Sequence, residues 1–382
     1  MPCLILSDLH LGAGDELEDF RCLETAGLRP DPPRRREAIR RLHGRFSTLL
    51  RQAMEELREP GERYPHLVLL GDIVDLWLIR QPRERIARAL LRVMTAHPGF
   101  FEALREWVAA GGRLTWVLGN HDQPLVDARA WALLRDALPG LNASAEGCPV
   151  HWFAEPQDGL YAEHGHQWDP FNRLRALDNP RADCVGRRVV RHVVRPLKPV
   201  LPLIDAGVSM AALAEYLWHS RLNPGARVLP EVAGHLQRLV GRAAGPARVL
   251  WEELRRAAGR PDVRPDFNRV ERREELVPGR RIRRLLRGDP RDATGQLPEP
   301  FRLLVAGHTH RPGRMSKKSS TGEERTYLNP GAWKPVLHRP GRQHSPVPED
   351  GEALGAVQRL TFVIVREGIG EVREVPADKP TS

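Results

Sequence analysis

The sequence predicts a layered α/β protein carrying a large helical insertion, and three observations support that. Short apolar runs alternate with amphipathic helical stretches through the first half of the chain. Nearly every run ends in a block rich in Asp, His and Asn: Asp8-Leu9-His10, Gly71-Asp72-Ile73-Val74-Asp75, Gly119-Asn120-His121-Asp122, His164-Gly165-His166 and Gly307-His308-Thr309-His310. Between the fourth and fifth blocks the chain turns basic and helix-biased, and none of the five blocks falls there.

Taken in order, Cys3-Leu4-Ile5-Leu6 reads as a first strand. Asp31-Pro32-Pro33 reads as a helix start, because a side-chain acceptor followed by proline suits the first turn. Ile39, Leu42, Phe46, Leu49, Leu50, Ala53 and Leu57 follow at helical spacing, so this helix should lay one stripe on a sheet. Leu67-Val68-Leu69-Leu70 and Leu114-Thr115-Trp116-Val117-Leu118 are further strands, separated by helices expected over about 83–95 and 99–110. Another helix is expected over about 125–138, then two short strands joined near Asp158-Gly159. Beyond the insertion come a strand at Leu303-Leu304-Val305-Ala306, a polar loop at Lys317-Lys318-Ser319-Ser320 and one late strand over 357–365. The expected organisation is a core in two parts, 1–170 and 301–375, an insertion or cap at 171–300, and a disordered tail at 376–382.

Composition narrows the partners. Lys+Arg number 59 against 49 Asp+Glu, a net charge of +10, which favours an anionic partner such as phosphate, nucleic acid or an acidic membrane surface. Residues 171–300 hold 26 Lys+Arg and 15 Asp+Glu, an excess larger than that of the whole chain. The four cysteines are scattered without Cys-x-x-Cys spacing, so neither a disulfide framework nor a thiolate zinc site is expected. With a strand predicted from residue 3 and no uninterrupted apolar stretch of about 20 residues, the expectation is a cytoplasmic protein, peripheral at most to the inner face of the membrane.

The blocks offer two Asp, one Asn and four His as metal ligands: Asp8, His10, Asp72, Asn120, His164, His308 and His310. In Asp8-x-His10 and His308-x-His310, residues two apart on an extended chain would face one ion together. One Asp72 carboxylate just after its strand would bridge two cations. This nitrogen and oxygen set suits manganese, the first expectation, or iron or zinc, rather than calcium. Two ions roughly 3.5–4 Å apart would hold a bridging hydroxide as nucleophile for phosphoryl transfer. His121 would then protonate the leaving oxygen, with Asp75 orienting it.

The blocks resemble the calcineurin-like metallophosphoesterase superfamily, whose pattern is D-x-H, G-D-x-x-D, G-N-H-[DE], a lone H and G-H-x-H. The resemblance implies a two-sheet αββα sandwich with helices outside. It also implies one metal on Asp8, His10, Asp72 and His310, and a second on Asp72, Asn120, His164 and His308. Ser7-Asp8-Leu9-His10-Leu11, Gly71-Asp72-Ile73-Val74-Asp75-Leu76-Trp77 and Gly307-His308-Thr309-His310-Arg311-Pro312 look like the versions found in bacterial UDP-2,3-diacylglucosamine pyrophosphatases. That group has Arg where this chain has His121, Asp where it has His166, and a much shorter insertion.

The resemblance therefore implies hydrolysis of a phosphodiester or pyrophosphate bond, with an acylated nucleotide sugar as leading substrate. The alternative is a nuclease or cyclic-nucleotide phosphodiesterase, and behind it a protein Ser/Thr phosphatase, whose Arg-Gly is replaced here by Leu76-Trp77. Val189-Val190-Arg191-His192-Val193-Val194-Arg195 mixes arginine with aliphatics, which suits a substrate phosphate, a lipid interface, or a helix packed by its valines. Gly12-Ala13-Gly14 lacks the third glycine of a dinucleotide loop, and the acids after it, Glu18 among them, would repel a pyrophosphate.

Overall fold

The computed structural model describes residues 1–21, 31–58, 64–79, 85–144, 147–199, 205, 279–337 and 356–375. Its strands are β1 (Cys3–Leu6), β2 (His66–Leu70), β3 (Arg113–Val117), β4 (Leu141–Asn142), β5 (Trp152–Glu155), β6 (Leu160–Glu163), β7 (Leu303–Val305), β8 (Gly313–Lys318), β9 (Glu324–Asn329), β10 (Val336–Leu337), β11 (Ala356–Val357), β12 (Thr361–Arg366) and β13 (Ile369–Glu374). A six-stranded sheet runs β13-β12-β1-β2-β3-β4 and a five-stranded sheet runs β5-β6-β7-β9-β8.

Alternation along the strands builds the layers. Cys3, Ile5, Val68, Leu70 and Val117 point to the second sheet and meet Leu160, Ala162, Leu303, Val305 and Leu328. Leu4, Leu6, Leu67, Leu69, Leu114 and Trp116 point the other way, into the helices α1 (Pro32–Leu57), α2 (Ile86–Ala96), α3 (Pro98–Ala109) and α4 (Ala128–Ala137). The central strands are buried on both faces, which is why they read as unbroken apolar runs. On the far side of the second sheet, Ile282, Leu285 and Leu286 of helical residues 279–286 pack on Tyr161, Leu304 and Tyr327. The result is a two-sheet α/β sandwich.

α1 begins as its sequence implies, with Asp31 accepting from Arg34 N at 2.8 Å. Three expectations need correction. The single strand over 357–365 is two, β11 and β12, because Gln358 Nε2 donates to the Arg21 and Trp333 carbonyls and turns the chain between them. Lys317 and Lys318 are not loop but the end of β8, paired with Arg325 and Glu324 of β9. Asp8, His10, His308 and His310 are not extended: their φ angles are 54°, 53°, 67° and 57°.

Of the expected insertion, 171–199, Asp205 and 279–300 are described and the rest lies outside the described residues, as does the 376–382 tail. The helical pieces Val185–Val189 and Arg195–Leu197 flank a π-helical turn at Val190–Val194. Arg195 Nε donates to the Trp77 carbonyl at 2.7 Å, and Lys198 Nζ meets Asp19 Oδ1 at 2.7 Å and Asp205 Oδ2 at 2.5 Å, so this segment is pinned to the core. Among the described residues no helix is long and apolar enough to cross a membrane.

Candidate metal centre

The loops leaving β1 and β2 continue side by side beyond their strands. Asp8 N donates to Gly71 O at 3.0 Å, His10 N to Asp72 O at 2.9 Å, and Asp75 N returns to Leu11 O at 2.8 Å. These bonds bring the first two blocks together. Gly119 and Gly307 bring in the third and fifth: a Cβ on Gly119 would fall 2.3 Å from Asp72 Oδ1, and one on Gly307 2.0 Å from Ser7 Oγ. Only glycine permits such approach.

Each buried carboxylate is half committed. Asp8 Oδ2 accepts from Ser7 Oγ at 2.6 Å and His308 N at 2.9 Å. Its other oxygen, Oδ1, faces His310 Nε2 at 3.1 Å, His10 Nε2 at 3.9 Å and His164 Nε2 at 4.0 Å. Asp72 Oδ1 accepts from His121 N at 2.8 Å, while Oδ2 lies 3.2 Å from His164 Nε2 and 3.8 Å from His10 Nε2.

The imidazoles are held from behind. His164 Nδ1 lies 2.9 Å from the Leu70 carbonyl, which can only accept, so Nδ1 carries a proton and Nε2 is the nitrogen turned to the cluster; burial opposes its charge, but the Asp72 and Asp8 carboxylates raise its pKa to about 10. His10 Nδ1 is held by Asp75 Oδ2 at 3.2 Å, and His308 Nε2 by Asp169 Oδ2 at 3.1 Å. Burial, then the Lys334 ammonium, pushes His10 down to about 3, so its Nε2 stays unprotonated. Burial opposes the charge on Asp72, but His164, His121 and His10 hold it ionised well below the usual carboxylate range.

His121 differs from these rings. Its Nδ1 lies 2.8 Å from Asp75 Oδ1, a close ion pair whose line does not follow the ring N–H. Burial would lower its pKa, yet the Asp75 and Asp72 carboxylates outweigh this and raise it above the ordinary histidine value. Trp77 lies against it at a centroid distance of 4.3 Å.

Three groups of side chains close enough to share an ion result: Asp8, His10 and His310; Asp72, His164 and His308; and His10, Asp75 and His121. Asn120 is buried beside them with its Oδ1 unpartnered. His166 is buried too, but its Nε2 is 3.0 Å from Gln167 Nε2 and it joins none of these groups among the described residues.

A sequence profile of the calcineurin-like phosphoesterases matches residues 1–196. The chain belongs to the calcineurin-like phosphoesterase family. No curated protein matches it. The family consists of metal-dependent phosphoesterases that bind two divalent ions, and this chain is a hydrolase of that kind. The fifth block lies beyond the matched stretch, yet the fold carries His308 and His310 back against Asp72 and Asp8.

The donor set of this phosphoesterase fits two such ions. Asp8 Oδ1, Asn120 Oδ1 and His164 Nε2 are buried with no hydrogen-bond partner, the state expected of atoms that a cation satisfies. Asp8, His10, Asp72, His308 and His310 are five of the six non-glycine residues with positive φ among the described residues, and the sixth, Glu367, is in the β12–β13 turn. Such strain collects where backbone geometry serves a site.

Sequence reasoning gave no role to Ser7, Asp122 or Lys334, and for Asp169 it offered only a part in shaping the cleft or a structural one. Asp122 is fully buried and accepts from Val74 N at 2.9 Å and Gly119 N at 3.2 Å, tying the second and third blocks together. Burial first, then Asp72, raises its pKa to about 7. Its place in the third block was the available signal. Nothing in their spacing marks Asp169 or Lys334. Glu18 explains why the Gly12-Ala13-Gly14 turn is no anion site: its own carboxylate accepts from Gly12 N at 3.0 Å and Gly14 N at 2.8 Å.

Proposed function

We propose that this cluster hydrolyses a phosphodiester or pyrophosphate bond, with Asp8, His10, Asp72 and His310 holding one ion and Asp72, Asn120, His164 and His308 the other. The observation that carries this is the half-committed carboxylates: Asp8 and Asp72 each spend one oxygen on the protein and turn the other toward imidazole nitrogens. When bound, the two ions supply an activated nucleophile and neutralise phosphoryl charge. The chain's residues do the rest. Asp75 ties His10 on one oxygen and His121 on the other, coupling ligand orientation to proton delivery. His121, kept protonated by Asp75 and Asp72, gives its proton to the leaving oxygen.

Manganese is the first metal to test. The leading substrate is a UDP-2,3-diacylglucosamine-type molecule, supported by the likeness of the Ser7–Leu11, Gly71–Trp77 and Gly307–Pro312 segments to those pyrophosphatases and by the basic segment after residue 170. The test is manganese-dependent release of UMP from UDP-2,3-diacylglucosamine, abolished by Asp72→Ala. Cleavage of a generic diester without UMP release would discard this substrate and direct attention to nucleic acids and other nucleotides.

A further inference from the structure

Resting on the two-ion reading above, we propose that Asp19 and Lys334, joined to Lys198 and Asp205 of the basic segment, are positioning residues for Asp8. The seating of that segment then governs how firmly one of the two ions is held.

Four charges meet away from water. Lys198 Nζ lies between two carboxylates, Asp19 Oδ1 at 2.7 Å and Asp205 Oδ2 at 2.5 Å. Lys334 Nζ donates to the Asp205 carbonyl at 3.2 Å and faces Asp19 Oδ2 at 3.9 Å. Lys198, Lys334 and Asp19 are all buried, the most open of them being Asp19 at 6% exposure. The two ammonium groups offset the two carboxylates, whereas any one of the four left alone would be costly to bury.

Stability does not account for such a cluster. Apolar residues of similar volume would fasten the segment as well or better, because each buried charge forfeits its hydration. What the charges supply is register. The core contributes one carboxylate and one ammonium, and the segment contributes one of each, so a single seating pairs all four. Aliphatic surfaces would tolerate a slip that this arrangement penalises.

The core half of the cluster is built into the loops of the metal centre. Trp333 N, one residue before Lys334, donates to the Asp8 carbonyl at 3.1 Å. Glu18, one residue before Asp19, accepts from Gly12 N and Gly14 N in the loop that leaves His10. Phe20 stacks on Trp333, with centroids 6.4 Å apart and planes 5° from parallel. Residues 18–20 and 333–334 thus form one brace, which Lys198 and Asp205 complete from the segment. A shift of either reaches Asp8 through Lys334 and the Trp333 amide. Asp8 is a sensitive receiver, since its backbone stands at a φ of 54° that only such bonds maintain.

Lys198→Met removes the cation that both carboxylates share. In the full chain it should raise amide hydrogen exchange at residues 195–198. In a stepwise manganese titration it should weaken one of the two ions by about tenfold or more and leave the other unchanged. The weakened ion should be the one that Asp169→Asn spares, because Asp169 holds His308 rather than Asp8. Combining the two substitutions should therefore weaken both. Asp205→Asn keeps the side chain's shape and removes only its charge. It should act in the same direction more mildly, and it carries the test if Lys198→Met does not fold. Both ions held as in the parent chain, with or without raised exchange, would overturn the positioning role. So would weakening of the ion that Asp169→Asn affects, or equal weakening of both. A parent chain that binds fewer than two ions overturns the two-ion reading itself, and the positioning role falls with it.

Discussion

Asp75 Oδ1 lies 2.8 Å from His121 Nδ1, which leaves Nε2 as the His121 nitrogen able to meet a substrate. Replacing His121 with Ala should therefore spare the metals and lower kcat by about 10²–10⁴-fold. The loss should be smallest for nitrophenyl leaving groups and largest for alkyl ones. Metal analysis beside kcat on both substrates checks this, and emptied metal sites would assign His121 to ligation instead.

Asp169 is expected to act at one remove, by holding His308 Nε2 at 3.1 Å. Asp169→Asn should weaken binding of one of the two ions by about 10–100-fold and leave the other unchanged. Stepwise metal titration with the substitution in place distinguishes this from a general loosening, which would weaken both.

Glu18 joins the loop after β1 to the helices. It accepts from Gly12 N, Gly14 N and Phe20 N, and meets His97 Nε2 at 3.0 Å with both side chains buried. Glu18→Ala leaves three amides and an imidazole without their acceptor and should cost about 3–5 kcal/mol. Urea denaturation of the metal-free protein reads this directly, and a change under about 1 kcal/mol would mean the loop relaxes around the gap.

The buried histidines give the fold an acid limit. Burial pushes His43 down to about 4 and His66 down to about 3, in His66 with help from Arg113. The folded chain holds both neutral where the unfolded chain, near 6.5, takes up protons. Their contribution to stability is thus complete above pH 6.5 and is lost as pH falls from there toward 4 and 3. His66→Gln should flatten the drop in Tm between pH 7 and 4.5 relative to the parent chain. An unchanged slope would show that the carboxylates alone set the acid limit.

Much of this was legible in the sequence, for a physical reason. β1 and residues 67–70 of β2 are buried on both faces, so they had to be apolar, and Asp31-Pro32 marked α1 through cap chemistry that survives in the fold. The site's blocks were visible because metal chemistry tolerates few residue types. Edge elements were not: β8 mixes half-exposed and exposed residues with no burial period, and nothing apolar separates Lys317 and Lys318 from a loop. Nor does any pattern of residue types announce that Asp8, His10, Asp72, His308 and His310 take left-handed backbone. That conformation is imposed by the bonds between the two loops, such as His10 N to Asp72 O, and by close approaches like that of Gly307 to Ser7, which form only when the strands are paired.

Those five left-handed residues set a tension between durability and work. A non-glycine residue in that region costs on the order of 1–3 kcal/mol. Glycine at Asp8 would relieve that cost but would strand Ser7 Oγ and His308 N, which donate to its carboxylate, so the strain cannot be removed there without also dismantling contacts that hold the loops together. On the proposed ligand assignment, cations bound there would offset that strain, since it is spread over five side chains that would converge on them.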